Sequence, residues 1–477
     1  MSELPSYLAA AKPAPTATRA PWYKNIAPTY LGVMLWFVFW QDLVNAGAHG
    51  KAAPGGVLAN GFVSAFIGLA LAAALCHFLF YLVPGLLGMK TGLPLYVVGT
   101  STYGATGGLF MPGLLMGLLQ FGWLAVNAFF VAKILCMCFG WNSDPGLAHG
   151  AIATVFALSA AIIGLKGIQY VAKVATYLPL IPVIVLLVLL GTTVTGLGSF
   201  DVSKLGVNET NAKATWSNWQ VIELLCIYIV GFFATAGAAG VDIASNSRNT
   251  EDVHIGGLTG ILLPTVLAGE AAMLIVAGAY GAGMVQSGGS LNPVDLMPNI
   301  LGSKWANIAM IALAISSLPG ACFSSFIAAN SFKTTMPKVN PLLSVGIGAL
   351  VSVLLAVTGI AGQVASVFSV IGASFGPVCG AMAADYLLSG RKWSGPRAGF
   401  NPAGWISWIV GFAIGAFDLA LKNDLVHAKW PGLYDWASTI HIPAPPVSAF
   451  VVGFVLYLVL YTIGMRTRKL AMPGVAE

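Results

Sequence analysis

The chain has 477 residues, of which 57% are hydrophobic and only 8% are charged. Soluble domains carry about a quarter charged residues, so these charges are too few to cover a water-facing surface. A cytosolic enzyme, a disordered chain, a coiled coil and a disulfide-rich secreted scaffold are all poor fits. The net charge of +6 can be explained by the positive-inside rule of membrane proteins, without nucleic-acid binding.

The chain opens with a polar, Pro- and Ala-rich segment, residues 1–25. It lacks the apolar core of a signal peptide, so it is predicted to be a cytoplasmic tail, and the first spanning helix is predicted to act as its own insertion signal. A second cytoplasmic tail is predicted at 466–477.

Twelve segments are predicted to cross the bilayer, since a spanning helix needs about 20 mostly apolar residues. They run roughly over 27–48, 57–86, 106–137, 148–168, 172–195, 219–241, 255–283, 304–330, 341–359, 362–388, 402–421 and 445–465. The fourth and fifth are separated only by a short hinge, LKGIQYVAK, at 165–173. Of the 22 Lys and Arg residues, 15 fall on the side of the N-terminus and 7 on the other. Both termini are therefore predicted to be cytoplasmic, in an inner or plasma membrane.

Ionisable residues lie inside or beside these segments, where a charge costs roughly 2.5–3.5 kcal/mol at the bilayer centre. They are Asp42, Glu223, Glu270, Asp418 and His77 within spans, and Asp242 and Asp385 near helix ends. Each is a candidate for function or for pairing between helices. Asp242 and Asp385 are interpreted as structural, because Arg248 and Arg391 follow them closely in the sequence.

Two spans are interrupted. In the first, LWFVFWQDLVNAGAHG (35–50), Gln41 and Asp42 break an apolar run; in the sixth, YIVGFFATAGAAG (228–240), small residues crowd together. Small residues permit close helix packing, and they also permit a discontinuous helix whose freed backbone groups bind substrate and ions. Two interruptions five helices apart are typical of a five-plus-five inverted repeat.

The sequence contains no Walker A motif, no HExxH and no convincing Ser/His arrangement, so an enzyme is not expected. The six cysteines show no zinc-ligand spacing, and Cys136 and Cys138 have no histidine nearby. They are interpreted as inert buried thiols, and no cofactor or metal is expected. A channel is the rival of a transporter, less favoured because this is one long chain with broken-helix signals.

Three stretches resemble the nucleobase–cation symporter family, in particular its bacterial cytosine permeases. Residues 88–130 carry a KTGL segment, an aromatic-Gly turn and then Gln-x-Gly-Trp in the third helix. Residues 230–249, VGFFATAGAAGVDIASNSRN, are similar to the sixth helix and its Asp-to-Arg-Asn tail. Residues 376–393, GPVCGAMAADYLLSGRKW, are similar to the end of the tenth helix.

This resemblance implies an all-α membrane protein with the leucine-transporter fold. The core would be 26–390, with inverted repeats at about 26–195 and 219–390, and the eleventh and twelfth helices would lie outside it within 391–465. It also implies a secondary-active symporter that imports a cytosine, purine, hydantoin or allantoin, coupled to H⁺ or Na⁺ by alternating access. The alternative keeps the fold but carries a non-nucleobase nitrogen compound.

The resemblance assigns substrate-binding residues position by position. Trp123 would stack on the ring of the substrate, with Phe233 as the second aromatic face, although a packing role for Trp123 is the plain alternative. The polar candidates are Gln120, Asn127, Thr235 and, in the broken first helix, Gln41. Two aromatic faces bind any flat ring, and a few polar groups read its edge.

Asp42 is the candidate for coupling. It lies about fifteen residues into the first helix, so at about 1.5 Å per residue it is predicted near the membrane midplane. It could ligate a cation, carry a proton or accept a hydrogen bond from the substrate. Ser324 and Ser325 are further cation candidates. They share the eighth helix with Ser316, Ser317 and the sequence Pro319-Gly320, where the family has an Asn- and Thr-rich segment, and this departure favours the proton.

Overall fold

The computed structural model describes residues 4–47, 53–166 and 177–472. These residues form helices and turns, with two isolated bridges and no strand in the described ranges. Ten of the helices are long and apolar enough to cross a membrane. A broken first helix and a shorter ninth helix complete twelve segments, in the order predicted. The hinge predicted at 165–173 lies, beyond Lys166, outside the described residues.

We label the segments α1 to α12. The bounds are α1a Ile26–Met34 and α1b Phe37–Gln41, α2 Phe62–Thr91, α3 Leu109–Cys138, α4 Leu147–Lys166, α5 Leu180–Ser199, α6a Asn218–Ala238 and α6b Gly240–Ala244, α7 Thr250–Gly281, α8 Ser303–Thr335, α9 Pro341–Val357, α10 Val364–Leu388, α11 Pro402–Leu421 and α12 Pro445–Thr462.

The two predicted interruptions differ in kind. In α1 the backbone leaves the helix at Trp36, which is extended (φ −58°, ψ 131°). In α6 a single residue, Ala239, separates the halves and keeps helical dihedral angles (φ −62°, ψ −9°). The first helix is therefore broken by a non-helical residue, whereas the sixth is interrupted without leaving the helical conformation.

The glycines of α6 serve close packing. A β-carbon added at Gly231 would come within 2.6 Å of the Phe368 carbonyl oxygen in α10. One added at Gly237 would come within 2.9 Å of the Phe80 carbonyl oxygen in α2. Since real β-carbons do not approach backbone so closely, these positions let α6 lie directly against its two neighbours.

Helices α2 and α7 each contain a π-helical turn, at Cys76–Tyr81 and Leu258–Leu262. The two turns pack against each other. Such turns widen the helix by one residue and are frequent at functional sites.

Both termini lie at one end of the bundle, which we call the terminal end. The Ala14 N–H donates to the Gly92 carbonyl at 2.8 Å, in the connection between α2 and α3, and the Ala398 N–H, between α10 and α11, donates to the Arg468 carbonyl at 2.9 Å. The opposite, distal end holds the connections α1–α2, α7–α8 and α9–α10. The described parts of both terminal segments thus share a side, and the assignment of that side to the cytoplasm stays a prediction.

Several intramembrane acids have structural partners. Asp385 accepts a hydrogen bond from the Tyr457 hydroxyl at 2.9 Å and lies 4.0 Å from Arg397. Glu223 accepts the backbone N–H of Ala444 at 2.9 Å, which ties α6 to the start of α12.

The sequence neighbours proposed for Asp242 and Asp385 are not their partners. Arg248 pairs with Asp252, at 2.8 Å. Asp242 instead accepts the Leu95 N–H at 3.0 Å, and Asp385 lies near Arg397 rather than Arg391. Both carboxylates connect segments that are distant in sequence, which agrees with a structural role.

Candidate functional site

Four aromatic rings from four helices meet at the break in α1. Trp123 of α3 is buried, and its ring centroid lies 6.1 Å from Trp36, 5.3 Å from Phe232 and 5.5 Å from Phe368. We call these residues the four-ring cluster. Its members come from α1, α3, α6 and α10, so a movement of any of these helices changes its shape.

Trp36 occupies the break itself and was not predicted as a site residue. Its indole N–H donates to the Ser317 hydroxyl of α8 at 3.1 Å. A break leaves carbonyl groups without helical partners, and the Trp40 indole N–H binds one of them, on Leu35, at 3.1 Å. Two tryptophans beside an interrupted helix are the sequence signal that could have marked Trp36.

The structure brings together two of the predicted substrate-binding residues, Trp123 and Thr235. The indole N–H of Trp123 donates to the Thr235 hydroxyl at 3.1 Å, a direct link between α3 and α6. Asn127, one turn after Trp123, donates to the Trp123 carbonyl at 3.0 Å, and its side-chain oxygen has no partner among the described residues. Gln120 donates to the Met116 sulfur at 3.4 Å on its own helix.

Phe233 does not lie where the sequence places it. It is fully buried and packs on Tyr30 of α1a, with ring centroids 5.6 Å apart. Successive residues on an α-helix point about 100° apart, so Phe232 and Phe233 cannot both face Trp123. Phe232 takes the position opposite Trp123 that was predicted for Phe233.

Gln41 ends α1b and is completely buried. Neither its amide oxygen nor its amide nitrogen has a hydrogen-bond partner among the described residues. Buried polar atoms are nearly always paired, so such an amide needs an explanation. It offers two donors and an acceptor in one plane.

Asp42 lies at the distal end, which corrects its predicted place near the midplane. The broken α1 ends at Gln41, so Asp42 follows the helix instead of occupying its middle. Its carboxylate interacts with Lys133 of α3 and with Asn292 and Asp295 of the α7–α8 connection. The Lys133 ammonium lies 3.1 Å from the Asp295 carboxylate.

A cavity of about 240 Å³ lies beside Asp42 at the distal end. It is lined by Asp42, Asn45, Gln363, Ser366 and Tyr228, among others. The Tyr228 ring also lies 5.0 Å from Phe368. This tyrosine therefore separates the cavity from the cluster.

The serines of α8 are not arranged as predicted. Ser325 donates to the Ala321 carbonyl at 3.2 Å and lies against Gly164 of α4, so it faces α4 rather than α1. Ser324 is buried, and no hydrogen bond joins it to α1 among the described residues. The α8 hydroxyl that reaches α1 is that of Ser317, through Trp36. Helix α8 bends at Ser317, which separates its serines into two groups.

The cysteines of the described ranges are free. Within the same ranges no group of three or more His, Cys, Asp and Glu side chains could hold a metal ion.

Comparison with family models and with curated proteins gave no match. Among solved structures, the chain is similar to Mhp1, a nucleobase-cation-symport-1 family transporter, in a closed conformation with bromovinylhydantoin bound. The TM-score is 0.62 at 14% identity, over 97% of this chain and 95% of that one. An inward-facing conformation of Mhp1 gives 0.63 at 16% identity, over 97% and 93%.

The chain is also similar to a Na⁺-coupled sialic acid symporter in a substrate-bound outward-open state, with a TM-score of 0.54 at 13% identity, over 95% and 92%. All three of these structures are of transporters. The chain is therefore an all-helical, multi-pass membrane protein with the leucine-transporter-like fold that its sequence predicts, and it shares that fold with a transporter of the nucleobase–cation symporter family.

Proposed function

We propose that the chain is a secondary-active symporter of the nucleobase–cation symporter family, importing a planar nitrogen heterocycle of the cytosine, purine, hydantoin or allantoin class. It works by alternating access in an inner or plasma membrane, with both termini in the cytoplasm and H⁺ or Na⁺ as the coupling ion. The observation that carries the proposal is the four-ring cluster at the break in α1, next to buried amides with unpaired atoms.

Flat aromatic surfaces favour a flat ligand. Edge-to-face and offset contacts between rings are each worth about 0.5–1.5 kcal/mol beyond the area that they bury. Trp123 and Phe232 contact each other edge to face, with ring centroids 5.3 Å apart. A heterocycle that separates them would gain such contacts with both rings. Phe233 is proposed to affect substrate binding only indirectly, by supporting α1a, since it packs on Tyr30.

The unpaired polar atoms supply specificity. Asn127 has a free side-chain oxygen, and Gln41 has both a free oxygen and a free nitrogen among the described residues. A ring with adjacent N–H and C=O groups matches a carboxamide, because each side offers one donor and one acceptor. Gln41 and Asn127 are therefore proposed to form hydrogen bonds with the polar edge of the ring. Thr235 and Gln120 are proposed as further polar contacts.

Asp42 is proposed to couple transport to the cation. It lines the distal cavity and lies near the Lys133 ammonium. A carboxylate so placed can exchange one positive partner for another, either a proton or a metal cation. Ser317 is a stronger candidate than Ser324 or Ser325 for a hydroxyl whose position depends on α1, because it accepts a hydrogen bond from Trp36.

A thermal-shift screen of the purified protein tests the proposal. The probes are cytosine, adenine, hydantoin and allantoin, each with and without Na⁺, on the wild type and on Trp123→Ala. One heterocycle is expected to raise the melting temperature of the wild type, and Trp123→Ala is expected to fold but lose that shift. Trp430→Ala is the matched control, because Trp430 is exposed beyond α11.

Three results would count against the proposal or a part of it. If no heterocycle stabilises the wild type while another small nitrogen compound does, the alternative cargo is correct. Counterflow separates a carrier from a channel, since only a carrier loaded with unlabelled cargo accumulates labelled cargo transiently. An unchanged shift in Trp123→Ala would leave Trp123 as a packing residue.

A further inference from the structure

His77 occupies a buried position that neither the four-ring cluster nor the distal cavity uses. It lies in the π-helical turn of α2 and is completely buried. Its ring lies against the backbone of Gly257, just before the π-helical turn of α7, and a β-carbon there would come within 2.6 Å of Nδ1. Neither ring nitrogen makes a well-formed hydrogen bond to a described residue.

A second histidine leads from this ring toward the terminal end. His254 of α7 is half-buried, lies in the first turns of its helix and interacts electrostatically with His77. The Tyr81 ring lies 5.8 Å from His77 on the other side, and the Tyr30 ring of α1a lies 5.2 Å from Tyr81. The ring of His77 is thus linked by contacts to both the terminal end and the broken helix.

The titratable groups around this place are few. Beside His254 and Tyr81 they are Tyr30 from α1, Cys226 of α6 near Cys76 of the α2 turn, Cys379 of α10 near Tyr30, and Asp242 near Tyr30. Asp252 of α7 is paired with Arg248. No carboxylate of the described residues contacts the His77 ring, so a charge there would have no fixed counter-ion.

We propose that His77 is a proton-binding site of the transport cycle, reached from the terminal end through His254. The inference rests on the proposed symport function and names H⁺ as a coupling ion. Imidazole is the side chain that changes charge near neutral pH. Closed as it is here, the site accommodates only the neutral ring, because a buried unpaired charge is costly. Separation of the two π-helical turns would admit water and permit protonation, which ties the charge of His77 to the conformation of the protein.

A buried histidine with a purely structural role is expected to make a hydrogen bond, and His149 is an example in this chain. His149 of α4 is also completely buried, but its Nε2 lies 3.1 Å from the Phe129 carbonyl. That bond pairs Nε2 and links α4 to α3, while Nδ1 has no partner among the described residues. Neither His77 nitrogen has a well-formed bond of this kind. Its ring interacts with the backbone of Gly257 and lies where the two π-helical turns meet, which is the arrangement expected of a group that must change state.

The test uses full-length protein in liposomes that contain a pH-sensitive dye. Addition of the heterocycle that stabilises the protein in the thermal-shift screen should acidify wild-type liposomes. H77Q should lose this proton influx and the pH dependence of uptake, yet retain counterflow of labelled cargo. H149Q, the matched control, should keep proton influx, and H254Q should slow it.

The outcomes separate this inference from the proposed function. If no heterocycle is transported at all, the proposed function fails. If cargo is transported but H77Q still moves protons, or if the wild type moves only Na⁺, the proton site is wrong while the symporter stands. Should H77Q not fold, H254Q decides, because unchanged proton influx and pH dependence in that variant would overturn the relay.

Discussion

Two neighbouring phenylalanines in α6 have separate tasks. Phe232 faces Trp123 in the four-ring cluster, whereas Phe233 packs on Tyr30. Phe232→Ala is expected to weaken heterocycle binding and also to lower stability, since Phe232 is buried as well. Phe233→Ala should destabilise the fold by about 3–5 kcal/mol, as truncations of fully buried phenylalanines do, while cargo affinity in the folded fraction stays close to wild type. Ligand titration and thermal melting of both variants measure the two effects.

The reverse pattern, with affinity lost in Phe233→Ala and kept in Phe232→Ala, would contradict the assignment. It would mean that α6 turns by about one residue position when cargo binds.

Asp42 gives a prediction about coupling. Asp42→Asn keeps the shape of the side chain and removes its charge, so that Asp295 would be the acidic partner left to Lys133 among the described residues. We expect the variant to lose uphill accumulation, keep exchange of internal for external cargo and show flatter pH dependence. Uptake of labelled cargo with and without an imposed ion gradient measures this.

Asp201→Asn is the control for Asp42, since the Asp201 carboxylate accepts hydrogen bonds from Ser203 of its own exposed loop. Normal concentrative uptake by Asp42→Asn at every pH and Na⁺ concentration would reduce Asp42 to a partner of Lys133.

At the scale of elements, the contact between α6 and α10 depends on glycine. Gly231→Ala would place a β-carbon 2.6 Å from the Phe368 carbonyl oxygen, forcing the helices apart at the cluster. Such overpacking costs about 1–3 kcal/mol, and because Phe368 belongs to the cluster, cargo affinity should fall as well.

The control for this prediction is Gly191→Ala in α5, where a β-carbon would meet nothing within 4 Å. Thermal melting and ligand titration compare the two. Equal stability of both variants would show that α6 and α10 can separate at no cost.

The positions of the helices along the chain were predicted far better than the side chains that each helix directs toward the site. Long apolar runs set the segment positions, and the polar pair Gln41-Asp42 correctly marked α1 as unusual. The rotation of α6, which selects Phe232 over Phe233, depends on how Gly231 and Gly237 fit α10 and α2, and one sequence does not show this. The end of α1 was likewise missed, because a break at Trp36 shortens the helix and carries Asp42 past its end.

At the scale of the whole molecule, the N-terminal segment lies across the terminal end. The Ala14 N–H binds the Gly92 carbonyl at 2.8 Å, and the Ala20 N–H binds the Asn246 carbonyl at 2.7 Å. The segment therefore bridges the α2–α3 and α6–α7 connections. Removal of residues 1–20 should loosen this end and raise hydrogen exchange of the amides in both connections, as mass spectrometry measures.

Removal of residues 1–12 is the nested control. It deletes Tyr7, which donates to the Ala105 carbonyl, but keeps Ala14 and Ala20. Exchange that rises equally in both truncations would assign the bridge to Tyr7 alone.

The contact between Trp36 and Trp123 has an optical consequence. Their indoles lie 6.1 Å apart at an interplanar angle of 67°, close enough for their electronic transitions to couple. A flat cargo that enters beside Trp123 would change the separation or the tilt of this pair. Cargo entry should therefore alter the near-ultraviolet circular dichroism and the intrinsic fluorescence, so that the protein carries a built-in spectroscopic reporter of occupancy that needs no label.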